Sequence, residues 1–391
     1  MGTRKGMEVS IGIAEAAMMA DVDVVSAYPI TPQTHVVEHL SELVADGVLD
    51  AEFVPVESEH SAMSACCGSV AAGARTFTAT SSQGLALMHE ILFIASGMRL
   101  PMVMAVANRS LSAPISIWND HGDVMANRDT GWIQVFVENG QEAFDHIIWS
   151  YRVAEDHGVL LPIMVNFDGF ILSHVVEPIE VWSPEEVKQF LPPYDPPYRL
   201  DVDNPWTFGP VGIPDIYLET RAAHNEALID SQKVMEKAWD ELHEVVGRKY
   251  AALECYKTDD ADIVFLTMGG ISETCMTSVD QMRDQGKKVG VIRLRMWRPF
   301  PFAEVAKELG GRKVVLAVDR CLSTGGPGGP VASEIKAALY HLDKRPHVVE
   351  FIAGLGGRDV TIGNFMEMYD KGAAVAAGAA LPPYELVGVR E

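Results

Sequence analysis

Three short segments of this chain carry side chains that could do chemistry, and each begins where an apolar run ends. In Tyr28-Pro29-Ile30-Thr31-Pro32-Gln33 two prolines restrict the backbone around Thr31, so its hydroxyl would be held in place. Thr31 followed by Pro32 is equally the pattern of a helix start, with Thr31 as cap and proline in the first turn. In Val56-Glu57-Ser58-Glu59-His60-Ser61-Ala62 two acids open a stretch rich in Ala, Ser, Cys and Gly. Such acids can complement a helix dipole; among small residues a carboxylate can also meet a flat ligand at close range. In Asn108-Arg109-Ser110-Leu111-Ser112-Ala113-Pro114, Arg109 follows a strongly apolar run, where an unpaired guanidinium is costly. It needs an anionic partner, from the protein or from a substrate, and its planar fork suits a carboxylate. The polar stretch 118–123 reads as a loop. His121 beside Asp120 and Asp123 raises metal ligation, but no further His or Cys recurs at ligand spacing, so no metal is expected on this chain.

The elements that must position these residues are strands alternating with helices, the pattern of an α/β fold with a mostly parallel sheet. Strands are predicted at 23–28, 75–80, 101–106 and 160–166, with a helix over 85–97. The three polar segments then lie at carboxyl ends of strands, where open α/β sheets bind ligands. A proline-rich stretch at 191–197 is expected to be extended and surface-lying. An amphipathic connector helix is predicted over 219–249. A second α/β unit follows, with strands at 262–268, 288–294 and 313–318, which places a domain boundary near residue 255 and gives units of 1–255 and 256–391. The second unit is expected to be too small to share the first core. Its glycine-rich run, Ser323 to Pro330, invites a phosphate-loop reading. It has neither a terminal Lys-Ser/Thr nor a G-x-G-x-x-G opening a helix, so a structural role is preferred.

Composition narrows the class. With 391 residues, 48% hydrophobic and 22% charged, the chain has the profile of a folded protein of two or three domains. A formal net charge of -23 argues against nucleic acid and against an anionic membrane surface. No apolar run reaches the roughly 20 residues of a membrane-spanning helix, and the first residues lack the apolar core of a signal peptide. A cytoplasmic location is expected. Of five cysteines, Cys66 and Cys67 are adjacent and Cys255, Cys275 and Cys321 scattered, so the chain cannot hold an iron–sulfur cluster by itself. Cys66 and Cys67 are expected to be buried and inert.

Taken together, the strings YPITPQ, ESEHSA, TSSQGLALMHE, NRSLSAP, DHGDVMANRDTGW and GLGGRDVT resemble the alpha subunit of pyruvate:ferredoxin oxidoreductases, within the 2-oxoacid:ferredoxin oxidoreductase family. The resemblance runs almost end to end and is weakest from 182 to 255. It implies a doubly wound domain that binds the pyrimidine side of thiamine diphosphate, followed by a transketolase-C-terminal-like α/β domain. No G-D-G of the pyrophosphate-binding half occurs in this sequence, so that half must come from another chain.

Carried over position by position, Glu59 resembles the glutamate that bonds the aminopyrimidine ring. A carboxylate there favours the imino tautomer that deprotonates the thiazolium carbon. Tyr28, Pro29, Ser82 and Gln83 fall in motifs implied to line the cofactor. Thr31, Asn108 and Arg109 fall in those implied to contact the 2-oxoacid, with Thr31 and Arg109 taking part in catalysis. The implied reaction is coenzyme A-dependent oxidative decarboxylation of pyruvate to acetyl-CoA and carbon dioxide, or the reverse, with electrons passed to ferredoxin. Magnesium and [4Fe-4S] clusters would lie on beta, gamma and delta partners in a heteromeric complex. The same chemistry on 2-oxoisovalerate, 2-oxoglutarate or oxalate is the nearest alternative, and a non-catalytic scaffold subunit is another. Thr31 weighs against oxalate, whose branch is expected to carry a basic residue there.

Overall fold

The computed structural model describes residues 2–380 and 382–390; Met1, Leu381 and Glu391, which fall within the expected domain limits, lie outside them. Eight strands precede a long helix: β1 (Thr3–Glu8), β2 (Val24–Ala27), β3 (Glu52–Pro55), β4 (Thr76–Thr80), β5 (Val103–Asn108), β6 (Ile133–Phe136), β7 (Ile163–Asp168) and β8 (Val176–Val181). Seven follow it: β9 (Leu253–Tyr256), β10 (Ile263–Thr267), β11 (Val289–Leu294), β12 (Met296–Arg298), β13 (Val314–Asp319), β14 (His347–Ile352) and β15 (Glu385–Leu386). The first large sheet has the order β12-β6-β7-β5-β4-β2-β3 and the second β15-β14-β13-β10-β11-β9, while β1 and β8 form a separate antiparallel ribbon. Among the described residues, only the β12–β6 and β11–β9 pairs of the large sheets are antiparallel.

Strands β4, β5, β6, β7, β10 and β13 are buried along their whole length, and β5, β10 and β13 accordingly read as near-continuous apolar runs. β2 lies between β3 and β4, so the chain leaves β2 to one side and returns on the other. This reversal places a topological switch point at the carboxyl ends of β2 and β4, the crevice where such sheets take ligands. Those two ends carry Tyr28 to Gln33 and Ser81 to Gly84.

The connector helix runs over Pro214–Val246, starting earlier than expected because proline occupies its first turn, and ending at Gly247 with φ 77°. Its Trp239 stacks on Trp149 of the helix Gly140–Ala154, ring centroids 4.9 Å apart. None of the described helices is long and apolar enough to cross a membrane.

The expected separation of cores is not what the structure shows. One apolar cluster contains Leu85, Met104, Trp132 and Phe136 of the first unit together with Val264, Ile292, Trp297 and Val305 of the second. The cause is the crossover at residues 294–298. After β11 the chain leaves its own sheet, and β12 pairs with β6 of the first. Trp297 is thereby fully buried. The boundary expected at 255 falls inside β9, which pairs with β11 of the second sheet.

Candidate active site

Glu59 is the first residue of the helix Glu59–Ala71, whose start is fixed by Ser58: its hydroxyl accepts from the Ser61 N–H at 3.2 Å. Glu57 sits outside the helix and accepts from the Ser61 hydroxyl at 2.7 Å, so the two acids of the motif divide their roles. Glu59 is only 7% exposed, yet its carboxylate makes no hydrogen bond or ion pair among the described residues. Across from it is Gly84: a Cβ at this position would stand 2.8 Å from Glu59 Oε1 and 2.5 Å from Thr80 Oγ1. A buried carboxylate without a partner, beside a glycine that leaves room, fits the edge of a flat ring bearing a hydrogen-bond donor.

Arg109 follows β5. Its Nε donates to the Ser116 carbonyl at 3.0 Å and its Nη1 to the Thr31 carbonyl at 2.8 Å. Neither partner is anionic, and among the described residues the guanidinium forms no salt bridge and its Nη2 has no partner. Burial pushes the guanidinium below its ordinary range, against the opposing charge of Asp123. The sequence demanded an anion for Arg109, and the described protein supplies none to its side chain.

Thr31 is exposed and is not a helix cap. The helix begins at Thr34, with Gln33 in the cap position. Gln33 is buried and donates to the Tyr28 carbonyl at 2.9 Å, folding residues 28–33 back on themselves. Tyr28 and Pro29 are exposed at the mouth.

The remaining expected residues are structural neighbours of these. Ser82 is buried with φ 46°; its hydroxyl is 2.5 Å from the Ser110 carbonyl and 2.6 Å from Gln83 Oε1. Asn108 is buried and directs Nδ2 to Asp123 Oδ1 at 3.1 Å. Asp123 ties the segments together: Oδ2 accepts the N–H groups of Arg109 (2.9 Å) and Ser82 (3.1 Å), and Oδ1 that of Val124 (2.7 Å). Burial pushes its carboxyl up to about 7, although these donors favour the ionised form.

The second unit supports this edge from below. Asp168 ends β7 and accepts from Arg320 Nη1 at 2.6 Å and the Gly270 N–H at 2.9 Å, with His121 Nε2 at 3.1 Å. Burial alone would raise the Asp168 carboxyl; Arg320 and His121 outweigh it and hold the group below the usual range. His121 thus turns its Nε2 to Asp168, and burial lowers the value of its own ring. In the GLGG motif the Gly357 N–H donates to the Asn119 carbonyl at 2.6 Å, and Gly356 donates to Asp120. A Cβ at Gly357 would stand 2.6 Å from Trp118 Cβ, so the loop that carries Ser116 rests directly on glycine backbone.

The glycine-rich run 323–330 is filled from inside. Asp319 accepts the Val331 and Ala332 N–H groups at 3.0 Å each, and Glu350 accepts from Gly329 and Lys336. Two internal carboxylates sit where a phosphate would go. Sequence reasoning missed Asp123, Asp168, Arg320 and Gly84. Asp168 and Arg320 obey the same rule that exposed Arg109, polar residues at strand ends, and could have been found by applying it to β7 and β13.

Residues 15–240 match the family model described as pyruvate flavodoxin/ferredoxin oxidoreductase, thiamine diphosphate-binding, and residues 261–365 match pyruvate:ferredoxin oxidoreductase core domain II. The chain is 53% identical to pyruvate synthase subunit PorA of Methanocaldococcus jannaschii over 352 residues, 89% of this chain and 90% of that one. It is 49% identical to the subunit of the same name from Pyrococcus furiosus, over 100% of this chain and 99% of the other. It is 44% identical to ketoisovalerate oxidoreductase subunit VorA of Pyrococcus horikoshii, covering 92% and 91%. Among solved structures, 2-oxoglutarate:ferredoxin oxidoreductase from Magnetococcus marinus shares the fold, with TM-score 0.70 and 17% identity over 94% of this chain and 65% of that chain. A split-gene transketolase shares it at TM-score 0.53, with 10% identity over 95% of this chain and 100% of the other. With both units matched and the motif residues gathered at one sheet edge, the chain belongs to the pyruvate flavodoxin/ferredoxin oxidoreductase family.

Proposed function

We propose that this chain is the alpha subunit of a pyruvate synthase, a multisubunit enzyme that interconverts pyruvate, coenzyme A and oxidised ferredoxin with acetyl-CoA, carbon dioxide and reduced ferredoxin. The observation that carries this reading is Arg109, held between the Ser116 and Thr31 carbonyls with no carboxylate of its own. An anionic substrate would complete it, and the fixed guanidinium would orient a 2-oxoacid carboxylate beside Thr31. Glu59 is the group that would hold the aminopyrimidine of thiamine diphosphate, with Gly84 giving the ring access. When bound, that cofactor supplies the nucleophilic carbon and the electron sink for decarboxylation. The work of this chain is to hold the proton at Glu59, to fix the oxoacid through Arg109, and to keep both on one rigid edge through Asp123.

Partners follow from what the residues lack. Burial raises the Cys66, Cys67 and Cys321 thiols to about 12, so none offers a ready thiolate ligand. From the family resemblance, the [4Fe-4S] clusters, the magnesium ion and the pyrophosphate contacts are assigned to beta, gamma and delta partners in the cytoplasm. Exposed Tyr28, Ile115, Ile117, Trp118 and Ile171 flank the site and suit burial against such a chain.

The relative named for ketoisovalerate gives a second reading, a branched-chain 2-oxoacid. Initial rates on pyruvate, 2-oxoisovalerate and 2-oxoglutarate with the assembled complex decide between them. Pyruvate is expected to give the highest kcat/KM, and Arg109→Gln to lower that value by about a hundredfold. Higher kcat/KM on either larger oxoacid, or no loss in the variant, would overturn the assignment.

A further inference from the structure

Besides the residues already described, three that are remote in sequence converge: Glu8 at the end of β1, His35 in the first turn of the helix Thr34–Ala45, and His174 in the turn after β7. One ligand atom of each lies within 4.8 Å of the others. Glu8 Oε1 is 2.6 Å from His35 Nδ1, and the two imidazole rings are 4.7 Å apart at 43°. All three are partly buried, so the group is accessible but not loose.

We propose that Glu8, His35 and His174 form a binding site for a divalent transition-metal cation of the zinc class. Two imidazoles and one carboxylate are a donor set that such ions take and that magnesium or calcium does not favour. The neighbours prepare the ring as a ligand. Ser173 Oγ lies 2.7 Å from His174 Nδ1 and also accepts the Phe170 N–H at 2.8 Å. With Nδ1–H donating to that hydroxyl, the Nε2 lone pair is left for the metal, the arrangement in which a metal-bound histidine is usually held. Phe170 also stacks on His174, centroids 4.6 Å apart, and restrains the ring plane.

A simple surface ion pair explains less. A Glu8–His35 pair accounts for two of the residues and is worth little at this exposure. It gives no reason for a second imidazole to lie against the first. A cation bridging the three would pin the amino-terminal ribbon, the helix that follows Thr31 and the turn after β7. The ring stack then continues from Phe170 to Trp118, 4.6 Å away, in the loop that carries Ser116.

The test uses the anaerobically assembled complex with zinc as the probe. Zinc and iron are measured together after gel filtration, for wild type and for Glu8→Gln, His35→Gln and His174→Gln complexes. Iron content and co-elution of the subunits report folding, and any zinc on other chains is common to all samples. Wild type is expected to hold one zinc per chain more than either histidine variant, with Glu8→Gln binding about tenfold more weakly or worse. Equal zinc in wild type and His174→Gln, at any stoichiometry, overturns the proposal.

Discussion

The Arg109 N–H donates to Asp123 Oδ2 at 2.9 Å, and the same oxygen takes the Ser82 N–H at 3.1 Å. One buried carboxylate thus locks the strand-end turn after β4 to the one after β5, and with them the residues expected to meet cofactor and substrate. Asp123→Asn replaces one acceptor oxygen by a donor amide. Either orientation of the amide leaves backbone N–H groups facing N–H. We expect the complex to assemble while KM for pyruvate rises and kcat/KM falls by about a hundredfold, the cost of a misplaced reacting group. Steady-state rates with pyruvate check this; wild-type kcat/KM in an assembled variant would show that Asp123 does not position Arg109.

Glu59 makes no hydrogen bond to the described protein, so Glu59→Gln should leave folding almost untouched. Turnover is expected to fall by about 10² to 10⁴, the range for removing a group that acts on a proton. The concentration of thiamine diphosphate giving half activation should rise as well. Gly84→Ala tests the same pocket without changing the acid. Its methyl would stand 2.8 Å from Glu59 Oε1, displacing the carboxylate or the ring it serves. If cofactor activation is unchanged in both variants, Glu59 does not face the aminopyrimidine.

Arg320 and Asp168 link the two units through a buried ion pair at 2.6 Å, both side chains no more than 1% exposed. Removing one partner leaves the other charged and buried, so Arg320→Leu should destabilise by about 3–5 kcal/mol. Asp168→Asn in that background should recover part of the loss, because the uncompensated charge is gone. Denaturant unfolding of the four complexes reads this coupling. Additive effects would mean that the pair does not act as a unit.

Much of the candidate site was legible because its residues sit where a periodic pattern stops. Thr31, Glu59 and Arg109 each follow an apolar run or open a helix, and no tertiary knowledge is needed to notice them. The predicted strands at 23–28, 75–80, 101–106 and 160–166 overlap β2, β4, β5 and β7 for the same reason. What failed was non-local. β12 is three residues long, and its pairing with β6 is set by the crossover after β11 rather than by any local preference. The Thr31 cap failed because Gln33, turning back onto the Tyr28 carbonyl, competes with a helix start at Pro32. Glu8, His35 and His174 have no common spacing at all, so no pattern search along the chain could unite them.

His146 supplies a pH dependence that nothing in its sequence context announces. Its Nδ1–H donates to the Glu142 carbonyl at 2.8 Å, and its Nε2 lies 3.1 Å from the Trp239 indole nitrogen, which can only donate. The Trp239 bond requires the neutral ring, because its acceptor is the Nε2 lone pair. Burial, with Arg295 nearby, lowers its value to about 4. The unfolded chain titrates near 6.5, so between these values unfolding takes up a proton that the folded chain refuses. The contribution is therefore fully present above about pH 6.5 and is lost as pH falls through about 4, with a limit of roughly 3 kcal/mol. Asp123 and Asp319, both pushed up to about 7 by burial, act in the opposite sense, so the readout is a difference. We expect His146→Gln to be less stable than wild type at pH 7, having lost the Trp239 bond, and the gap to shrink steadily toward pH 4. Unfolding can be followed by tryptophan fluorescence, since Trp239 stacks on Trp149 beside this histidine. A gap that stays constant from pH 7 to 4 would mean that His146 is not held neutral by the fold.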